Sequence, residues 1–244
     1  MPELTVIAVD WSGAKQQNLS CGIWLTAIRS GRIVHSQAAA SRDEAVAYVV
    51  ECPPPVVAGL DFSFGVPEWF AREHACAAIA DVWALAERDG ERWLAPTAPF
   101  WRDAGCAPLR ERRFRACEEA LRARGYQPKS IFQLVGNGQV GAGSVRGMPL
   151  LARLRAAGFA IWPFDQAADR TVVEIYPSML RKLVRHDDTD FANEHERDAV
   201  LSAAAMWEHR ASFASRARTT DPVALIEGEV WHPDATARVS DATS

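Results

Sequence analysis

Two short apolar runs in the first quarter of the chain each end at an aspartate. Residues 4–9 are largely β-branched and apolar and stop at Asp10, and residues 56–60 repeat that pattern and stop at Asp61. A continuous apolar run of this length predicts a strand that is buried on both faces of a sheet. The two aspartates are therefore expected at the ends of two central strands.

Between these runs the pattern predicts a hairpin and a helix. Residues 21–28 and 33–35 are apolar runs on either side of a short polar turn, which is typical of a hairpin. Ser41, with Glu44 three residues later, has the spacing of a helix N-cap, so a helix is expected over 41–52. Three strands, a helix and a strand in this order indicate a mixed α/β sheet.

After the fourth strand the pattern changes to helices and irregular chain. A helix is predicted from Pro67 to about Glu87, because Pro suits the first helical position and apolar residues follow at helical spacing. An irregular segment over 90–105 and a strongly charged helix over 110–124 come next. Residues 66–130 are thus expected to form a mainly helical and irregular insertion.

The remainder of the chain returns to strands and helices. Strands are predicted at 131–135, 171–175 and 226–231, and a long helix is predicted at 193–216. The whole pattern predicts one α/β domain over residues 1–232, in which helices flank a mixed sheet with a helical insertion after the fourth strand. A polar tail over 233–244 is expected to be flexible.

Composition narrows the class of protein without identifying it. The 244 residues carry 31 acidic and 27 basic side chains, with 48% hydrophobic residues, which argues against disorder and against a membrane protein. No apolar run approaches the ~18 residues of a membrane-spanning helix, so no membrane partner is expected, and the N-terminus lacks the features of a signal peptide. The five cysteines include no C-x-x-C pair and predict reduced thiols in a cytoplasmic protein. A net charge of −4 argues against indiscriminate coating of nucleic acid.

Four carboxylates stand out because of their apolar surroundings. Asp10 and Asp61 end strands, Glu174 lies inside a β-branched run, and Asp198 opens an alanine-rich helical segment. Taken singly, each has an ordinary explanation as a turn residue, a helix cap or a first-turn acid. Taken together, they match the hard oxygen ligands that Mg²⁺ or Mn²⁺ needs in a two-metal phosphoryl-transfer site. A buried carboxylate cluster is costly unless its charge is compensated.

The same residues carry a resemblance to a known family. Residues 8–15 (AVDWSGAK), 59–67 (GLDFSFGVP), 173–177 (VEIYP) and 197–199 (RDA) resemble domain-of-unknown-function family 429. That family is regarded as ribonuclease-H-like and as a predicted nuclease without an established substrate. The resemblance implies a ribonuclease-H-like fold over about residues 4–232. It also implies metal ligation by the four acids, with nucleic acid as the partner.

Two basic residues are candidates for contact with substrate. Lys15 follows Asp10 by five residues and could reach a phosphate, although a solvated loop lysine is the commoner case. Residues 136–141 match G-x-G-x-x-G, for which a structural loop is favoured over an anion-binding loop with Arg146 or a dinucleotide site. No histidine has metal-ligand spacing and no G-x-S-x-G motif is present.

The expected function is a divalent-metal-dependent phosphodiester hydrolase that acts on nucleic acid. Two alternatives remain open from the residues alone. An actin-like or sugar-kinase-like phosphotransferase would use the segments after Asp10 and Asp61 as phosphate loops, although that architecture normally duplicates the domain. A non-catalytic binding protein could keep the fold without the chemistry.

Overall fold

A single mixed β-sheet organises the chain. The computed structural model describes residues 3–14, 22–95, 97–135, 140–185, 191–214 and 216–233. Within these residues the sheet has six strands in the order β3-β2-β1-β4-β6-β5. The strands are β1 (Thr5–Asp10), β2 (Trp24–Arg29), β3 (Arg32–Ala38), β4 (Val56–Leu60), β5 (Ala160–Ile161) and β6 (Arg170–Glu174). This arrangement confirms the prediction of an α/β fold with a mixed sheet flanked by helices.

The strand β1 lies at the centre of the sheet and is buried along its full length. It runs antiparallel to β2 and parallel to β4, and β4 in turn runs parallel to β6. The register pairs Val9 with Leu60 and Leu60 with Glu174. Because parallel strands point the same way, the carboxyl ends of β1, β4 and β6 meet at one edge of the sheet.

Helices cover both faces of this sheet. They are α1 (Arg42–Glu51), α2 (Glu68–Glu73), α3 (Ile79–Trp93), α4 (Ala116–Ala123), α5 (Val140–Ala156), α6 (Pro177–Leu180), α7 (Glu194–Glu208) and α8 (Ala224–Glu227). One face packs on α7, with Val6 and Ala8 of β1 against Met206. The other face, with Ile7 and Val9, belongs to a core shared with α3 and α5. None of the described helices is long and apolar enough to cross a membrane.

Several local predictions for the chain after β4 are wrong. The helix predicted over 67–87 is divided into α2 and α3, because the chain turns at Ala75 with φ 55°, a left-handed conformation that a helix cannot contain. The charged helix over 110–124 is reduced to α4 after a short 3-10 turn. The predicted last strand is helix α8 followed by a single bridge between Val230 and Glu174.

Other local predictions are confirmed. Strands β2 and β3 form the expected hairpin. The Ser41 hydroxyl accepts a hydrogen bond from the backbone N–H of Glu44 at 3.0 Å, as an N-cap does. Most of the tail, residues 234–244, lies outside the described residues.

Candidate acidic site

The predicted carboxylates converge at the edge of the sheet where β1, β4 and β6 end. Asp10 is the last residue of β1, Asp61 follows β4 directly, and Glu174 is the last residue of β6. Asp198 approaches the same edge from α7. The charges of Asp10, Asp198 and Glu174 raise the pKa of Asp61, in addition to the larger effect of burial. The four side chains therefore form one electrostatic unit centred on Asp61.

Asp10 is held by a histidine that the sequence analysis did not select. The Nδ1 of His195 lies 2.7 Å from Oδ2 of Asp10. Asp10 is 7% exposed, and burial raises its pKa to about 6 against the opposing effect of His195. The hydrogen bond to Asp10 raises the pKa of His195 in turn. His195 precedes Asp198 by three residues on α7, a spacing that places both on one face.

Asp198 also has a cationic partner. The Nη1 of Arg181 lies 2.8 Å from Oδ1 of Asp198, and Arg197 approaches the same oxygen at 3.6 Å. Arg181 follows α6, the short helix that comes directly after β6. Helix α6 therefore brings a positive charge to the edge of the sheet where the acids meet.

Glu174 is more tightly enclosed than the other acids. The Arg115 guanidinium donates to both of its carboxylate oxygens, at 2.5 and 2.9 Å, and the backbone N–H of Phe64 donates to Oε2 at 2.8 Å. Arg115 also donates to Glu118 at 2.9 Å and to the carbonyl of Glu227. Because all these groups are buried, Glu174 is part of a satisfied ion-pair network.

Asp61 differs from the other three acids. Among the described residues, no side chain forms a hydrogen bond or an ion pair with its carboxylate. The carboxylate faces a cleft of about 30 Å³, which Lys129, Glu174 and Tyr176 also line. Burial and the neighbouring acids raise its pKa well above the usual value. A group in this position either keeps its proton or accepts a cation.

The donor set fits a divalent cation in its chemistry, but it is not assembled as a metal site. Within the described part of the chain, no three His, Cys, Asp or Glu side chains are grouped closely enough to hold a metal ion. Basic side chains instead engage these acids: His195 at Asp10, Arg181 at Asp198 and Arg115 at Glu174. A metal ion would therefore compete with His195 and Arg181 for carboxylate oxygens.

Of the two basic residues predicted to contact substrate, the structure describes Arg146. Lys15 and residues 136–139 of the glycine-rich segment lie outside the described residues. Arg146, on α5, forms an ion pair with Glu91 at 2.6 Å and donates to the carbonyl of Gly13. Arg146 thus orders the segment that follows Asp10, and it does not line the cleft at Asp61.

The partners of the acids were missed because they are distant in sequence. Arg115 lies in the segment that the sequence predicts as a strongly charged helix, yet its side chain is 1% exposed. The three-residue spacing of His195 from Asp198 is the one local signal that could have placed a partner on the same helix face, and the sequence holds no such signal for Arg181.

Comparison of the chain with protein-family models, with curated proteins and with solved structures finds no match.

Proposed function

We propose that this chain is a ribonuclease-H-like phosphodiester hydrolase that uses Mg²⁺ or Mn²⁺ and acts on nucleic acid. The observation that carries the proposal is that three carboxylates, those of Asp10, Glu174 and Asp198, lie near enough to raise the pKa of Asp61, whose own carboxylate has no side-chain partner among the described residues. The element order supports it. The hairpin, the parallel strands β1, β4 and β6 and the later helix α7 come in an order that resembles the ribonuclease-H-like fold.

Asp61 is the proposed primary ligand, and Asp10 and Asp198, whose charges act on it, are the next two. Their carboxylate oxygens are the donors that Mg²⁺ and Mn²⁺ prefer. A bound divalent cation would lower the pKa of water and offset the negative charge of a phosphodiester. Glu174 remains a predicted ligand through the resemblance, while its pairing with Arg115 fixes the end of β6 beside Asp61.

His195 and Arg181 have defined roles in this proposal. Each holds one carboxylate of the cluster, His195 at Asp10 and Arg181 at Asp198. They keep like charges close together when no cation is bound, because each supplies a positive charge or a hydrogen bond. Half of the His195 side chain (51%) remains exposed, so it can exchange protons with water.

The first prediction tests the function directly with Asp61→Asn. Asp61→Asn keeps the shape of the side chain and removes its charge, so we expect at least a tenfold loss of Mn²⁺ affinity by calorimetry. Cleavage of labelled DNA and RNA should fall at least 100-fold. Asp43→Asn, an exposed acid on α1 paired with Arg153, is the matched control and should match the wild type. Unchanged Mn²⁺ affinity in Asp61→Asn would show that the proposed site is wrong.

A further inference from the structure

Three exposed cations are here called the cationic ridge: Arg124 and Lys182, which both lie over the ring of Tyr126, and Lys129, which lines the cleft at Asp61. Arg124 follows α4, Lys129 lies in the segment after it, and Lys182 follows α6. The ring of Tyr126 joins two of them, since Nζ of Lys182 lies 4.7 Å and the guanidinium of Arg124 5.9 Å from its centroid. Cation–π contacts of this kind hold cations in place at a surface.

The ridge is continuous with the acidic site. Lys129 lines the same cleft as Asp61, and Tyr176 lines it from the other side. The Tyr176 hydroxyl donates to the carbonyl of Gln127 at 2.9 Å, which ties the segment bearing Lys129 to the end of β6. Lys182 is next in sequence to Arg181, the partner of Asp198. Lys129 therefore lies at the cleft itself, and Lys182 is joined to the same segment through Tyr126.

The distribution of lysine in the chain makes this placement unusual. The sequence contains 24 arginines and only three lysines, Lys15, Lys129 and Lys182. Two of these lysines belong to the ridge, and the third follows Asp10 by five residues. Lysine is a compact, flexible point charge and a common phosphate binder. In an acidic protein, positive charge at the rim of an acidic cleft favours a ligand with several phosphates.

We propose that the cationic ridge binds the sugar–phosphate backbone of a single-stranded nucleic acid and leads one phosphodiester toward Asp61. A strand fits better than a duplex because two of the carboxylates lie below the surface: Asp10 is 7% and Glu174 3% exposed. A rigid double helix holds its phosphates on a fixed outer surface, whereas a flexible strand can follow a cationic groove and bend one phosphate toward recessed groups. The direction of the strand toward Asp61 rests on the proposed function.

The test measures binding without cleavage. Fluorescence anisotropy of the full chain in EDTA, with labelled single-stranded and duplex 12-mers of one sequence, separates binding from metal chemistry. The Lys129→Ala/Lys182→Ala variant should weaken single-strand binding at least tenfold. The slope of log affinity against log salt should fall by about 1.4, because each phosphate that a lysine no longer neutralises reduces it by ~0.7. Arg88→Ala/Arg153→Ala removes the same charge from exposed positions on α3 and α5 and should bind as the wild type does.

The outcomes separate this inference from the proposed function. Ridge-dependent binding supports the inference even if no cleavage occurs with Mg²⁺ or Mn²⁺, a result that would count against the nuclease alone. Equal weakening in the ridge and control variants would overturn the ridge. Tighter binding of the duplex, or equal competition by inorganic polyphosphate at the same phosphate concentration, would overturn a single-stranded nucleic acid as the ligand.

Discussion

Arg115 is the residue on which most of the buried polar network depends. Its guanidinium contacts Glu118, Glu174 and the carbonyl of Glu227, and it is 1% exposed. The Glu227 carboxylate accepts from the backbone N–H groups of Glu68 and Ala116, at the starts of α2 and α4. One arginine thus connects β6, α4 and α8 beneath the acidic site.

Arg115→Met should strongly destabilise the protein. The substitution keeps much of the side-chain volume but leaves two buried glutamates without their cation, a change that costs about 3–5 kcal/mol of unfolding free energy. Urea denaturation at pH 7 measures the loss. Arg72→Met removes an ion pair in which the arginine is 74% exposed, and it should cost less than about 1 kcal/mol. Equal losses in the two variants would contradict the role assigned to Arg115.

The raised pKa of Asp10 makes stability depend on pH in the metal-free protein. Since its folded pKa is about 6 and its usual value is 3.8, the folded state holds the proton more tightly than the unfolded state does. The free energy of unfolding therefore decreases as pH rises from about 4 to 6 and stays lower above that range. The shift corresponds to a loss on the order of 3 kcal/mol.

Asp10→Asn should remove this part of the pH dependence. We expect the variant to be more stable than the wild type at pH 7 and about equal to it at pH 4, because an amide resembles the protonated carboxyl. Urea denaturation in EDTA at both pH values gives the comparison. A variant that is less stable than the wild type at pH 7 would show that the Asp10 charge stabilises the fold, contrary to this account.

At the scale of elements, the close packing of α7 on the sheet brings Asp198 and His195 to the strand ends. Gly59 of β4 permits it, because a Cβ atom there would lie 2.6 Å from Sδ of Met206 on α7 and 2.7 Å from Cγ2 of Ile175. Ala199, Ala203 and Ala205 of α7 are buried at the interface. Small residues on both elements therefore set the distance between the helix and the strands.

Gly59→Ala should displace α7 and disturb the acidic site together. We expect a loss of about 1–3 kcal/mol in unfolding free energy from overpacking. Mn²⁺ affinity should fall as well, since α7 carries Asp198. Calorimetry and urea denaturation measure the two effects. Gly105→Ala is the control, because its nearest neighbour would be 3.5 Å from the new Cβ. If stability falls while Mn²⁺ affinity does not, α7 packing does not position the site.

The elements that were predicted correctly from the sequence are those with strong local signals. The cap at Ser41 and the hairpin depend on neighbouring residues, and the strands ending at Asp10 and Asp61 depend on apolar runs. The division between α2 and α3 could not be predicted in this way. It depends on a left-handed turn at Ala75, an alanine in a segment where the pattern favours a helix.

At the scale of the whole molecule, the sheet topology converts separate sequence signals into one site. Parallel pairing of β1, β4 and β6 places three chain segments at one edge, and α7 adds a fourth. The helices between β4 and β5 contribute Arg115, and the segment after α4 contributes cations of the ridge. An acidic protein with a net charge of −4 thereby presents both an acidic cleft and a cationic rim.

The sequence by itself determined the α/β class, the buried strands and the aspartates at the ends of β1 and β4, because apolar runs and the residues that stop them are local properties. Only the tertiary structure decided which cations meet those acids. Arg115 is 59 residues from Glu174, and His195 is 185 residues from Asp10. Such pairs form when packing excludes water from both partners, and the free energy of that packing belongs to the whole fold and to no single segment.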